Sequence, residues 1–296
     1  MRFPVNWMLA ACCAAAVLAG CGSGSGGPDV LTAPVRVVRT SDGTVAYREL
    51  GSGPALLLIT GADASIDGWP PGFVDALAAH HKVVVFDNAG VGRTSAVSAP
   101  GSLSITAMAS QTSALISALR LRRPAVLGWS MGGMIAQTLA VSHPAQVSRL
   151  ILAATALGTG KALPLPPYAT VSGLSPAKLV AQLFPKNQAA AARAYLNSIG
   201  QYPGSYGVTA ATFHGQYLAA ERWMAGQDPA GRLVGEIRVP TLVAGGTRDQ
   251  FIVTANDRLL ARSVPGAKLI LFDDAGHGFW IQDAARFIRA VEAFIG

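Results

Sequence analysis

The chain has 296 residues, 51% hydrophobic and 13% charged, enough apolar material for one large core of catalytic size with room for an insertion. Its formal charge of +7 comes from scattered arginines, with one local cluster at Arg120, Arg122 and Arg123. No basic stripe interleaved with aromatics is present, which argues against a nucleic-acid partner and leaves only a mild attraction to anionic envelope surfaces.

The first residues read as an address. A single cation, Arg2, precedes an apolar run over residues 7–19. That run is too short to span a bilayer comfortably and fits the hydrophobic region of a secretory signal. It ends in Leu18-Ala19-Gly20-Cys21, which resembles the bacterial lipobox. The resemblance implies a signal peptide over residues 1–20, cleavage before Cys21 and lipid on its sulfur. The protein would then sit in the cell envelope, lipid-anchored on the outer face of the bacterial cytoplasmic membrane. The tract GSGSGGPD that follows suits a flexible tether over residues 21–34. The three cysteines are Cys12, Cys13 and Cys21, so no disulfide, thiolate nucleophile or cysteine metal site is expected in the folded part.

Residues 35–50 alternate in hydropathy around Asp42-Gly43 and predict a β-hairpin with a type I′ turn. PALLLIT (54–60) and KVVVFD (82–87) are continuous apolar runs that suit buried strands, with FVDALAAH (73–80) a helix between them. Residues 104–121 have helical spacing, with Ser104 placed to cap the first turn. PAVLGW, then MGGMIAQTLAVSHP, then VSRLILAAT read as strand, helix and strand. Late in the chain PTLVAGG and AKLILFD are strands, and AARFIRAVEAFIG closes as a helix. Alternating strands and helices imply an α/β fold, a mostly parallel twisted sheet with helices on both faces. The rhythm stops between residues 157 and 231, where a Pro-rich segment leads into three helical ones. The expected organisation is a core over residues 35–157 and 232–296, with a helical cap over residues 158–231.

Ligands of open parallel sheets sit outside the carboxyl ends of the strands, and Ser130 lies at such an end. Gly128-Trp129-Ser130-Met131-Gly132 fits G-x-S-x-G, the strained turn that projects a nucleophilic serine between strand and helix. Side chains at positions 128 and 132 would collide across so sharp a turn, which accounts for the glycines. The backbone N–H of Met131 opens the helix and is a natural oxyanion donor. A serine hydroxyl needs a base, and the base an orienting acid. Asp249 follows the strand PTLVAGG, and His277, between two glycines, follows AKLILFD. Rival residues fit less well. His143 reads as a helix end, His80 and His81 as a turn, and Asp87 as part of a structural turn. Asp273 and Asp274 would have to reach back across a tight loop. No histidine cluster with metal-ligand spacing occurs, and no cofactor is implied.

At this point the chain resembles the α/β-hydrolase fold superfamily over residues 35–296. The resemblance rests on LLLITGADAS, VVVFDNAGVGRTS, VLGWSMGGMIAQTLAVSHPAQVSRLILAAT, PTLVAGGTRDQFIV and DDAGHGFW. It implies Ser130, Asp249 and His277 as a catalytic triad and the N–H of Ala62 as the second oxyanion donor. Thr60 stands where the family often has histidine. A serine nucleophile argues against the dehalogenase and epoxide-hydrolase branches, which use aspartate. The expected activity is cleavage of carboxylic esters, apolar and of small to medium size or lipid-like, through an acyl-enzyme. Trp129 is a candidate for the substrate pocket. His214 reads first as an ordinary helix residue and second as a pocket-lining one. Two other readings stand beside this one. The same triad serves cofactor-free haloperoxidases (perhydrolases), enol-lactonases and carbon–carbon bond hydrolases, and a surface lipoprotein could bind a lipid or a partner without catalysis.

Overall fold

The computed structural model describes residues 27–204 and 206–296; the signal segment and Cys21 lie outside them, and the expected tether over residues 21–34 is not free as far as residue 34, since Val30 and Ala33 are buried in the core and the N–H of Val30 donates to Asp75 Oδ1 at 2.8 Å. Eight strands form one sheet: β1 (Arg36–Thr40), β2 (Gly43–Leu50), β3 (Ala55–Ile59), β4 (Lys82–Phe86), β5 (Ala125–Trp129), β6 (Arg149–Ala153), β7 (Thr241–Gly246) and β8 (Lys268–Phe272). Their order is β1-β2-β4-β3-β5-β6-β7-β8. Strands β3 to β8 are parallel, and the hairpin β1–β2 joins antiparallel at the β4 edge. The hairpin turn differs from the expectation in its register. Thr40 pairs with Gly43, so the tight turn is Ser41-Asp42, and Gly43 at φ +104° opens β2. A type I′ turn needs positive φ at both central residues, and here only the following glycine supplies it.

Two-residue periodicity divides the buried strands between two layers. In β3, Leu57 and Ile59 face one core while Leu56 and Leu58 face the other. The first core packs against α2 (Ile105–Ala118), α3 (Met131–Ser142) and α7 (Thr254–Ser263). The second packs against α1 (Pro71–Ala78), the short α8 (Phe279–Gln282) and α9 (Ala284–Ile295). Ser104 caps α2 as expected, its hydroxyl accepting from the N–H of Ala107 at 3.1 Å. The helix α7 is an element that the chain-order reading does not include.

Between β6 and β7 the chain forms α4 (Pro176–Gln182), α5 (Ala189–Ile199) and α6 (Ala210–Met224). Phe184, Ala192 and Tyr195 make a small apolar cluster of their own. Helix α6 is anchored differently: Ala219, Ala220, Trp223 and Met224 enter the first core. The strand order turns back at β3, with β4 on one side and β5 on the other. The crevice at that reversal is where open α/β sheets place their ligands.

Candidate active site

Ser130 joins β5 to α3 with φ +56° and ψ −123°, a backbone conformation costly for a residue with a side chain. Its surroundings hold it there. Its N–H donates to the carbonyl of Ala153 at 2.9 Å, and its carbonyl accepts from the Thr155 hydroxyl at 2.7 Å. The flanking glycines are required by space. A Cβ on Gly128 would lie 2.3 Å from the Gly132 carbonyl oxygen, and one on Gly132 would lie 2.2 Å from that of Ile59. Gly133 is as constrained, since a Cβ there would meet the Thr155 side chain at 2.6 Å.

Asp249 and His277 come together from the loops after β7 and β8. His277 Nδ1 donates to Asp249 Oδ2 at 2.7 Å, and both residues are buried, 3% and 6% exposed. Asp249 Oδ1 accepts from the N–H groups of Phe251 and Ile252 at 2.8 and 2.9 Å. These contacts fix the carboxylate and assign the Nδ1–H tautomer, leaving Nε2 with its lone pair free. The imidazole lies between the rings of Trp129 and Phe251, at 5.5 and 5.3 Å between centroids. The Trp129 indole donates to the His277 carbonyl at 3.1 Å, so Trp129 braces His277 as well as lining the cavity. Ser130 and His277 open onto the same cavity, although no hydrogen bond joins them in this structure. Such bonds are often long in the unliganded state and tighten around substrate.

The loop after β3 brings Ala62 to the same place. A Cβ on Gly61 would stand 3.1 Å from the Ser130 Cβ, so the two loops touch. Met131 occupies the first turn of α3, where N–H groups have no acceptor within the helix. With Thr60 in place of histidine, the loop is held by other means. Asn88 Nδ2 donates to the Thr60 carbonyl and hydroxyl, both at 3.1 Å, and Gln216 Oε1 on α6 accepts from the Asp63 N–H at 3.0 Å. Neither Asn88 nor Gln216 could be found from the sequence, because each acts through contacts with a loop distant along the chain.

A family model described as alpha/beta hydrolase fold matches residues 54–284. The chain belongs to this family. The α/β-hydrolase-fold protein from Chitinophaga pinensis superposes with a TM-score of 0.79 at 26% identity, covering 90% of this chain and 98% of its own. A hydrolase from Pseudomonas aeruginosa PA01 gives 0.73 at 26% identity, covering 88% and 98%. Among curated relatives, a poly(3-hydroxyalkanoate) depolymerase from Ectopseudomonas oleovorans is 29% identical over 250 residues, 81% of this chain and 83% of the relative.

This hydrolase encloses a cavity of about 650 Å³ between the insertion and the carboxyl ends of the strands. Ser130, His277, Ala62 and Met131 lie on its floor, and its walls are mainly aliphatic and aromatic. His214 is not among its lining residues. It is exposed on α6 and stacks on Tyr168 at 4.6 Å, while its neighbours Phe213 and Tyr217 line the cavity instead. The insertion also grips the loop that carries His277. The N–H of Gly278 donates to the Leu183 carbonyl at 2.8 Å. A Cβ on Gly276 would lie 2.5 Å from that same oxygen, and one on Gly278 would lie 2.9 Å from the Phe184 ring.

The rival carboxylates have structural partners. Asp87 is fully buried, accepting from the N–H of Ile66 at 2.6 Å and from the Tyr206 hydroxyl. Burial is the main cause that pushes its carboxyl up to about 6. Asp274 pairs with Arg248 at the surface. His81 is not a free turn residue but is buried against Glu292 at 2.9 Å. Asp257 on α7 is wholly buried, and burial with the nearby charge of Asp249 holds it well above the carboxylate range against the backbone contact of Thr155.

Proposed function

We propose that this protein is a serine esterase that cleaves apolar carboxylic esters through an acyl-enzyme. Ser130 Oγ attacks the ester carbonyl while His277 Nε2 takes its proton. Asp249 holds the imidazole by Nδ1 and stabilises the imidazolium. The N–H groups of Ala62 and Met131 receive the oxyanion, a contribution of about 3–4 kcal/mol for each donor in comparable sites. His277 then returns the proton to the leaving alcohol. A water, deprotonated by the same nitrogen, attacks the acyl carbon and frees Ser130 and the acid.

The observation that carries this reading is the pairing of a buried Asp249–His277 couple with a strained serine on one cavity floor. The apolar walls favour an apolar substrate, and the kinship with a poly(3-hydroxyalkanoate) depolymerase supports an ester one. The test is hydrolysis of p-nitrophenyl esters of graded chain length together with labelling by a fluorophosphonate. Ser130→Ala is expected to lose labelling and at least ~10³-fold in kcat with the melting temperature kept. Full activity in that variant refutes the assignment. Labelling without ester turnover, joined to turnover of lactones or peracids, transfers the triad to those reactions. Failure to label at all supports a binding protein.

We also infer from Leu18-Ala19-Gly20-Cys21 and the Gly/Ser tract after it that Cys21 is acylated and holds the enzyme at the outer face of the cytoplasmic membrane. Incorporation of an alkynyl fatty acid, lost in Cys21→Ala, is the expected result; equal labelling of both chains refutes it.

A further inference from the structure

The cavity holds several polar side chains, and nearly all of them are already committed. Asp67 accepts from Arg48 at 3.2 Å. The hydroxyls of Tyr195, Tyr206 and Tyr217 donate to the Gly68 carbonyl, to Asp87 and to the Pro166 carbonyl. Ser65 caps the turn that follows it. Ser130 and His277 belong to the chemistry. Asp63 remains. Asp63 lines the cavity and is half-buried, and its carboxylate has no hydrogen-bond partner among the described residues. No lysine or arginine lies among the lining residues to neutralise it. Burial raises its carboxyl to about 6, with no opposing partner.

The placement of this group is enforced. Asp63 has φ +56°, a left-handed conformation that side chains other than Asn and Asp tolerate poorly. Gln216 holds it there through the 3.0 Å contact to its N–H, and its own fully buried Nε2 has no partner among the described residues. A backbone strain and an orphaned amide donor are both costly in a folded protein. Both occur at Asp63, a residue of the cavity lining. The residue before it, Ala62, supplies the second oxyanion donor in the reading above, so whatever meets Asp63 is close to the scissile carbonyl.

We propose that Asp63 determines substrate choice: its carboxylate receives a hydroxyl or ammonium donor carried by the substrate near the ester carbonyl, and excludes esters that bear a free carboxylate there. The substrate class is therefore a hydrogen-bond-donating ester, apolar elsewhere, rather than a plain alkyl ester or a half-ester of a dicarboxylic acid. The proposal rests on the esterase reading and deepens it. An unpaired charge in such a chamber is satisfied only when the right substrate arrives, and this is how polar groups discriminate more sharply than apolar walls.

The test uses ethyl butyrate, ethyl 3-hydroxybutyrate, ethyl 4-aminobutyrate and monoethyl succinate at pH 7.5, with the wild type and Asp63→Asn. Asparagine keeps the shape and the left-handed backbone and removes the charge. The quantity read is kcat/KM for each substituted ester relative to ethyl butyrate in the same enzyme. Wild type is expected to favour the hydroxy or the amino ester by about tenfold or more and to disfavour the half-ester by a similar factor. In Asp63→Asn the preference for the amino ester and the penalty on the half-ester should both shrink at least fivefold. Asparagine still offers an oxygen acceptor, so Asp63→Gly, which also permits the positive φ, is the variant expected to erase the hydroxy preference. Unchanged ratios in both variants overturn the proposal while leaving the esterase reading intact. Absence of turnover of any of the four esters by wild type, with p-nitrophenyl esters also untouched, overturns both.

Discussion

Asp249→Asn separates the electrostatic role of the acid from its bulk. In the native site Oδ1 accepts two backbone N–H groups, at 2.8 and 2.9 Å, and Oδ2 accepts His277 Nδ1–H at 2.7 Å. An asparagine can satisfy the two amides only by placing its own oxygen against them. The reverse orientation would set NH₂ against two N–H donors, at a cost of about 1–3 kcal/mol for each donor left unmet. The NH₂ must therefore face His277. Nδ1 then becomes the acceptor, the proton moves to Nε2, and the nitrogen nearest the cavity can no longer take a proton from Ser130. Loss of the correct tautomer by this route lowers kcat by about 10⁴. The substrate pocket is untouched, so KM should change little. The assay is p-nitrophenyl ester hydrolysis between pH 6 and 9, with thermal melting as a control for folding. A variant that folds and keeps kcat within tenfold of wild type would sink the claim that Asp249 sets the tautomer of the base.

Gly132→Ala would put a methyl 2.2 Å from the Ile59 carbonyl oxygen, forcing β3 and the nucleophile turn apart; denaturant unfolding should report about 1–3 kcal/mol of lost stability, and phosphonate labelling should slow about 10²-fold. Gln216→Leu releases the loop that carries Ala62, and kcat should fall about tenfold with KM nearly constant, because the oxyanion forms only in the transition state; an unchanged kcat would show that Asn88 suffices. Asp87 adds a pH dependence. Its folded carboxyl titrates at about 6 against 3.8 when unfolded, so between those values the folded chain keeps a proton that the unfolded chain has lost. Stability should thus fall as pH rises from 4 to 6, by up to about 3 kcal/mol from this group, and level off above. Urea titrations at pH 4, 5, 6 and 7 should show that share of the slope removed in Asp87→Asn.

The parts of this fold that can be read from the sequence are those in which one local rule dominates. Buried strands appear as unbroken apolar runs, and Gly128 and Gly132 reveal a turn that no other residue could make. Asp249 and His277 are legible because strand ends are where a parallel sheet keeps its functional groups. Helix α7 is hard to read because it is short and polar overall: Leu260 is buried beside Asn256 and Asp257, so no unbroken apolar stripe marks its inward face. His214 fails as a pocket residue because the insertion's rotation, which puts Phe213 and Tyr217 inward, is set by docking of α6 into the core. Asp63 and Gln216 are invisible in the sequence because one hydrogen bond across 153 residues leaves no periodic trace.

The grip of Leu183 and Phe184 on the glycines around His277 bears on how this scaffold could acquire a different specificity. The same short stretch borders the chamber and braces the loop of His277. Transplanting that stretch from a relative would disturb proton transfer at the moment it changed the ligand. New preferences are more readily reached by exchanging single side chains that face inward, such as Phe213 or Leu179, than by replacing whole helices.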